Sequence, residues 1–317
     1  MKRWWLTLAL LLALGALGAV ALLWKSRHAE ALDENLLVPS GVVFKKGLPY
    51  CQADGQTLKL DWAEPQDRAT ARPAVVLIHG GAWMFGQRSE LRSLQFMLAK
   101  EGFVAISVDY RLAPQAVFPA PLHDVQCAVR WLRSQAAAQA IAPDQISAWG
   151  HSAGAHLAAM LAVTANRADL QGAGQVIGGT GSAKPNNSAM TTNSHVHAVI
   201  AHSGIYDLVA ALDQNQTLPS DARRGAVALA GGDDVQSLRA ASVSSFAHPQ
   251  SAPVLVLHGD HDRVAPLSQA LQLHDALQAS GARSQLLVVP GAGHNDLGAQ
   301  GPGVLAEVVA FLKQPRR

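Results

Sequence analysis

Hydrophobic positions in the central and C-terminal parts of the chain form short, unbroken runs that do not alternate with polar positions. Strands of a parallel sheet show this pattern when helices cover both faces, because both faces are then buried. The predicted strands of this kind are 74–78, 104–108, 146–149, 196–201, 254–257 and 286–289. The predicted helices between and after them are 89–100, 121–138, 153–166, 266–278 and 304–313. This alternation predicts one α/β domain with a mostly parallel sheet.

The segments before these strands predict how the domain begins. Residues 31–40 have no clear periodicity and are interpreted as a linker to a domain spanning 41–317. Residues 42–44 and 58–62 are predicted to form an opening antiparallel pair, because turn-forming residues occupy 53–56 between them.

Two later segments interrupt the alternation of strands and helices. Residues 171–193 are rich in Gly, Ser, Thr and Asn, a composition typical of flexible chain, and are predicted to form an insertion. Residues 207–246 contain helical fragments but no clear strand. They are interpreted as a small cap over the sheet, or alternatively as a plain surface insertion.

An apolar run at the N-terminus predicts export. Residues 4–24 carry no charge, have a tryptophan at each end and follow Lys2 and Arg3. A helix of this length rises by about 1.5 Å per residue and spans roughly the 30 Å hydrocarbon core of a membrane. The run exceeds the roughly 7–15 apolar residues of a signal peptide, so an uncleaved signal anchor within 1–30 is favoured over a cleaved signal peptide. The first alternative predicts a membrane-anchored periplasmic or extracellular domain, and the second a secreted one.

Composition excludes several classes of function. With 49% hydrophobic and 15% charged residues, the chain is too apolar to be disordered. The net charge is only +2 and no basic stripe is present, so nucleic acid is not an expected partner.

Cys51 and Cys127 would be free to pair in an exported protein, but their spacing does not establish a disulfide, and helical periodicity places Cys127 off the apolar face. No Cys/His spacing indicates a metal site, and no cofactor is expected.

The turn at 150–154, Gly-His-Ser-Ala-Gly, contains the candidate nucleophile. It lies between a predicted strand and a predicted helix, where a G-x-S-x-G sequence forms a nucleophile elbow. Glycines on either side let strand and helix approach closely while the serine hydroxyl stays exposed. Ser152 is therefore the candidate nucleophile.

A serine nucleophile needs a general base and a carboxylate that orients the base. In an open α/β sheet these groups meet at the carboxyl ends of the strands. His294 follows the last predicted strand and is the candidate base. Asp260 and Asp262 both follow the preceding strand, so either could be the acid. The order Ser, Asp, His is the order found in α/β-hydrolases.

Backbone amides near these residues are candidates for the oxyanion hole, which stabilises the charge on the reacting carbonyl oxygen. Gly80 and Gly81 follow the first predicted parallel strand. The expected donors are the amides of Gly81, Ala82 and Ala153, with Gly80 as a further candidate. Trp83 is expected either to form a wall of the substrate pocket or to pack beneath it.

Several motifs in this order resemble those of the α/β-hydrolase carboxylesterases. The nearest groups are the bacterial feruloyl-esterase-like (BD-FAE) and hormone-sensitive-lipase-like esterases. The motifs occupy 79–83, 109–114, 118–120, 128–133, 150–154, 258–260 and 293–294, and the resemblance extends from Val42 to the C-terminus. It implies an eight-stranded sheet, ester hydrolysis through an acyl-serine, and Asp262 as the acid of the triad. Ala82 stands where lipase-type HGGG motifs have a third glycine.

The sequence thus predicts an exported serine esterase acting on a small-molecule ester through Ser152, His294 and Asp262. A peptidase of the prolyl-oligopeptidase type has the same triad order, but such enzymes resemble a much longer chain with an added propeller. A non-catalytic, membrane-tethered scaffold that binds a partner or lipid is the other alternative, and the intact triad argues against it. The natural ester and the oligomeric state do not follow from the sequence.

Overall fold

A central β-sheet determines where the functional side chains lie. The computed structural model describes residues 38–67, 70–172, 174–177, 193–213, 218–296 and 302–314. The strands within them are β1 (Val42–Ala53), β2 (Gln56–Pro65), β3 (Arg72–Ile78), β4 (Val104–Val108), β5 (Ile141–His151), β6 (Gln175–Val176), β7 (Val199–His202), β8 (Val254–Gly259) and β9 (Ser284–Val289). They form one sheet in the order β6-β1-β2-β4-β3-β5-β7-β8-β9. The site described below lies within the unit Val43–Arg317.

The predicted α/β architecture with a mostly parallel sheet is confirmed. Strands β4, β3, β5, β7, β8 and β9 run parallel to one another. Strand β2 pairs with β4 in the antiparallel direction. The described residues contain nine strands, whereas about eight were expected. One strand absent from the sequence prediction is β6, a two-residue strand within the predicted flexible insertion that pairs with β1.

Helices cover both faces of the sheet. Those of the described residues are α1 (Arg92–Lys100), α2 (Ala120–Ser134), α3 (Ala153–Thr164), α4 (Leu208–Leu212), α5 (Ser220–Ala230), α6 (Val235–Ala240), α7 (Leu267–Ala279) and α8 (Pro302–Leu312). Successive side chains of β3 point to opposite faces, as strand geometry requires. Val76 and Ile78 enter one hydrophobic cluster, and Val75 and Leu77 enter the other. The unbroken apolar runs therefore reflect burial on both faces.

Cys51 of β1 and Cys127 of α2 form a disulfide. Both residues are fully buried, so the expectation that Cys127 lies off the buried face is wrong. That side of α2 is covered as well, because Gly174, next to β6, packs against both sulfur atoms. Helical periodicity detects only the wider apolar face and does not show this second contact.

Parts of the predicted organisation lie outside the described residues. These are the predicted signal anchor, most of the predicted linker, and residues 178–192 of the predicted insertion. Among the residues that are described, no helix is long and apolar enough to cross a membrane. The region predicted as a cap, 207–246, contains α4, α5 and α6 in its described part.

Candidate active site

Ser152 occupies a strained turn between β5 and α3. Its φ and ψ angles are 56° and −119°, a left-handed conformation that L-residues seldom adopt. A Cβ atom on Gly150 would lie 1.9 Å from the carbonyl oxygen of Gly154, and a Cβ on Gly154 would lie 2.0 Å from that of Ile78. Only glycine fits at these two positions, which is the geometry expected of a nucleophile elbow.

His294 and Asp262 form a hydrogen-bonded pair. The distance from His294 Nδ1 to Asp262 Oδ2 is 2.8 Å, and the Asp262 side chain is fully buried. Asp262 Oδ1 accepts hydrogen bonds of 2.8 and 2.9 Å from the amides of Val264 and Ala265. Burial raises the pKa of Asp262, but the hydrogen bond and charge of His294 and these two amides lower it by more. The net pKa lies below its usual value, so the carboxylate stays ionised beside the imidazole.

Asp260, the other candidate acid, has a different partner. Its Oδ1 accepts a 2.6 Å hydrogen bond from the amide of Gly291, in the loop that leads to His294. Asp260 therefore joins two loops, whereas Asp262 holds the imidazole. His258 is a buried neighbour of the acid, with Nε2 at 2.9 Å from the carbonyl oxygen of Ala265 and 3.4 Å from Asp262 Oδ2.

The candidate nucleophile and base face one cavity of about 560 Å³. Its wall includes Ser152, His294, Gly81, Ala82, Ala153 and Trp83, which are the predicted site residues other than Asp262. Asp262 lies behind His294 and contacts the imidazole nitrogen Nδ1. The structure thus brings together side chains from the loops after β5, β8 and β9, at the carboxyl edge of the sheet.

Backbone amides at the same cavity are available as hydrogen-bond donors. Gly81, Ala82 and Trp83 have consecutive positive φ angles of 104°, 50° and 58°. A Cβ on Gly81 would lie 2.2 Å from the carbonyl oxygen of Phe85, so the loop requires glycine at that position. The amides of Gly81, Ala82 and Ala153 donate to no acceptor among the described residues. These amides are suited to bind a developing oxyanion, and Ala153 adds the N-terminal end of α3.

Trp83 and the cap region complete the wall. Trp83 is only 1% exposed, yet it lines the cavity and also packs edge-on against His156, with 5.3 Å between ring centroids. Trp83 therefore lies both at the cavity and against the core, and it stays a candidate residue of the substrate pocket. Helix α5 contributes Asp221 and Ala222 to the wall.

The other histidines and charges of the motifs have internal partners. His79 Nδ1 lies 2.8 Å from the carbonyl oxygen of Gly80, and the His79 ring stacks on Tyr110 at 4.3 Å. Burial lowers the pKa of His79. Arg111 binds the buried carboxylate of Asp124 with bonds of 2.8–3.0 Å, so it connects the segment after β4 to helix α2 and does not line the cavity.

Several other residues of the cavity wall were not predicted as site residues from the sequence. Among them are Phe85, Glu90, Ile205, Asp221, Val264 and Asn295. None belongs to a motif that carries chemistry. The only signal for Asp221 was its place in the region predicted to form a cap.

Among the described residues, no group of three or more His, Cys, Asp or Glu side chains is arranged to hold a metal ion.

Comparisons with known proteins agree with this architecture. A family model described as BD-FAE matches residues 60–277. Esterase LipQ of Mycobacterium tuberculosis is 31% identical over 238 residues, which cover 74% of this chain and 53% of LipQ. Esterase LipC of the same organism is 30% identical over 287 residues, covering 87% of this chain and 66% of LipC. A solved structure described as a truncated form of a carbohydrate esterase from gut microbiota has a TM-score of 0.71 and 28% identity, covering 85% of this chain and 95% of that chain.

The curated relatives are longer than the present chain. It spans between about half and two thirds of the length of LipQ and LipC. The matched region nevertheless includes Ser152 and Asp262, and it begins before the loop that carries Gly81 and Ala82.

Proposed function

The chain belongs to the BD-FAE family, and on that premise we propose that it is a serine esterase that hydrolyses carboxylic esters through an acyl-serine intermediate. The observation that carries this proposal is the hydrogen bond from His294 to Asp262 beside the cavity that exposes Ser152. The free amides of Gly81, Ala82 and Ala153 at the same cavity support it.

Acylation begins with attack of Ser152 Oγ on the ester carbonyl carbon. His294 Nε2 takes the hydroxyl proton, and Asp262 stabilises the resulting imidazolium through Nδ1. The carbonyl oxygen becomes an oxyanion that accepts hydrogen bonds from the backbone amides. One such donor typically contributes about 10²–10³ in rate. His294 then returns its proton to the alkoxide as the bond between carbonyl carbon and alkoxy oxygen breaks, so an alcohol leaves.

Deacylation repeats these steps with water. His294 Nε2 takes a proton from water, and the hydroxide oxygen attacks the acyl carbon. The same amides hold the second oxyanion. Collapse breaks the bond to Ser152 Oγ, which recovers the proton from His294, and a carboxylic acid leaves. After one turnover the serine proton has left with the alcohol, a proton from water has replaced it on Ser152 Oγ, and the hydroxyl group of that water has entered the carboxylic acid.

The activity is tested with the full chain in detergent. We expect turnover of p-nitrophenyl acetate and labelling of Ser152 by a fluorophosphonate, both abolished by Ser152→Ala. A panel of peptide p-nitroanilides tests the peptidase alternative and should show no comparable turnover. The proposal is wrong if wild type is no faster than Ser152→Ala across acyl lengths and Ser152 is not labelled.

The cavity suggests the class of ester. Its volume of about 560 Å³ suits a small molecule, and much of its wall is apolar. Glu90 and Asp221 line it, whereas no Lys or Arg of the described part of the chain does. Carboxylates in the wall repel a negative charge, so we propose an ester without negative charge as substrate. The solved relative described as a carbohydrate esterase supports acylated sugars as candidates. Rates for acetyl, longer acyl and feruloyl esters, compared with a negatively charged ester of equal length, test this preference.

We propose further that the catalytic domain is exported and anchored by residues 1–30. The apolar run at 4–24 supports an anchor, and the buried Cys51–Cys127 disulfide supports an oxidising compartment. The mass of the mature N-terminus and resistance of membrane association to alkaline carbonate test the anchor. Cleavage after the apolar run would establish a secreted protein instead.

A further inference from the structure

The side chain of His151 contacts the candidate base, although the proposed mechanism gives it no step. His151 Nε2 lies 3.0 Å from the backbone carbonyl oxygen of His294. A carbonyl oxygen only accepts hydrogen bonds, so Nε2 carries the hydrogen and donates it. The two rings are also close, with 5.0 Å between their centroids. The contact joins the residue before Ser152 to the residue that acts as the base.

The loop around His294 has few other ties at this point. Its first part is hydrogen-bonded to the loop that carries Asp260 and Asp262. Asp260 accepts from the Gly291 amide, and the His261 amide donates to the Ala292 carbonyl. The Gly293 amide donates to Asp296, a contact within the loop itself. Among the described residues, His151 is the group that fixes the carbonyl of His294.

We propose that His151 is a positioning residue that sets the separation between the nucleophile and the base. Its side chain links the elbow to the backbone of His294, so the hydrogen bond holds the segment that carries the nucleophile and the segment that carries the base at a fixed separation. Asp262 controls the orientation of the imidazole, and His151 controls where that imidazole is placed. This inference rests on the proposed esterase function.

Two further observations support this role. The His151 ring packs edge-on against His202 at 4.7 Å, which limits its rotation. Burial lowers the pKa of His151 to about 4, and the nearby His294 lowers it too, while the bond to the His294 carbonyl opposes this. The imidazole therefore stays neutral near pH 7 and does not compete with His294 as a cationic partner of Asp262.

The test uses two variants of the full chain that differ by one methylene. The amide of His151→Gln is long enough to donate to the His294 carbonyl, whereas that of His151→Asn is too short. We expect kcat for p-nitrophenyl acetate to fall roughly 10–100-fold in His151→Asn, the size of loss that a displacement of about 1 Å can cause. KM should change less than about threefold, and His151→Gln should restore kcat to within about threefold of wild type.

His197→Asn provides the matched control. His197 Nε2 lies 2.8 Å from the carbonyl oxygen of Gln314, so this variant removes the same kind of bond at the opposite edge of the sheet. It should lower the melting temperature without lowering kcat. The inference is overturned if His151→Asn keeps wild-type kcat, if His151→Gln loses as much as His151→Asn, or if His197→Asn loses as much. Lack of ester turnover and of Ser152 labelling in wild type would instead overturn the proposed function.

Discussion

At the scale of single residues, Asp260 and Asp262 differ in the atom that each one holds. Asp262 accepts from the His294 imidazole, and Asp260 accepts from the Gly291 amide. We predict that Asp262→Asn lowers kcat by roughly 10³–10⁴, because the imidazolium loses its stabilising charge and its tautomer is no longer fixed. Asp260→Asn keeps a carbonyl oxygen that can accept from Gly291, so kcat should fall less than about tenfold. Steady-state hydrolysis of p-nitrophenyl acetate measures both.

The opposite ranking of these two variants would contradict the assignment of the acid. Melting temperatures provide the control, since Asp262 is fully buried and its loss also affects folding. An Asp262→Asn protein that melts near wild type but lacks turnover would separate a catalytic loss from a structural one.

Residue types and spacing were sufficient to name Ser152 and His294 as candidates, because the glycines around Ser152 and the strand before His294 are visible in the local sequence. They were insufficient to choose between Asp260 and Asp262, which follow the same strand. The choice depends on how the chain turns after β8, where the amides of Val264 and Ala265 donate hydrogen bonds to the Asp262 carboxylate. Turn geometry of this kind depends on tertiary packing and leaves no periodic pattern in the sequence.

At the scale of elements, helix α5 packs directly on the loop that carries Gly81 and Ala82, the proposed oxyanion loop. A Cβ atom on Gly225 would lie 2.2 Å from the carbonyl oxygen of Ala82 and 2.9 Å from its Cβ. We predict that Gly225→Ala displaces α5 or the loop, destabilising the fold by about 1–3 kcal/mol. The amide of Ala82 would move with the loop, so kcat should fall roughly 10–100-fold. Urea unfolding and ester hydrolysis measure the two effects.

Gly303→Ala in α8 is the matched control for this substitution. A Cβ at Gly303 would meet no atom of the described residues within 4 Å, so the change adds helix propensity without a clash among them. It should leave kcat unchanged and stabilise the protein by about 0.5–1 kcal/mol. Equal activity of the Gly225→Ala and Gly303→Ala proteins would show that α5 does not support the oxyanion loop.

The same elements show which parts of the fold the pattern of apolar residues could predict. Strand β4 was expected at 104–108 and is found at Val104–Val108, because all five residues are buried. Strand β5 begins five residues before the predicted 146–149, since its first half is mostly exposed and lacks the apolar run. The contact of α5 with Ala82 could not be predicted, because a glycine inside a helix does not identify what it packs against.

At the scale of the whole molecule, the disulfide joins β1, next to the edge strand β6, to helix α2. Cys51 and Cys127 are 76 residues apart in the sequence. Cross-links over loops of this size limit the unfolded chain, and removing one typically costs about 2–5 kcal/mol. We predict a loss of this size for the double variant Cys51→Ser and Cys127→Ser in urea unfolding. Because neither cysteine lines the catalytic cavity, kcat at 25 °C should stay within about threefold of wild type.

The free energy of unfolding should also depend on pH through His156. This histidine is fully buried in α3, with Nε2 at 2.7 Å from the carbonyl oxygen of Ala241. Burial lowers its pKa to about 4, and the bond to the Ala241 carbonyl only partly opposes this. In the unfolded chain the pKa returns to about 6.5, so between about pH 6.5 and 4 the unfolded state binds a proton that the folded state does not. Stability is therefore lost as the pH falls through this window.

His156→Gln isolates this contribution, because the amide can donate to Ala241 but cannot bind a proton. We predict that unfolding free energies measured at pH 8, 7, 6 and 5 fall more steeply with falling pH for wild type than for the variant. The two slopes should differ by up to about 1.4 kcal/mol per pH unit below pH 6.5 and should agree above it. The comparison rests on slopes, so a constant loss from imperfect packing of the glutamine does not affect it. Parallel slopes below pH 6.5 would show that His156 binds its proton equally well in the folded protein.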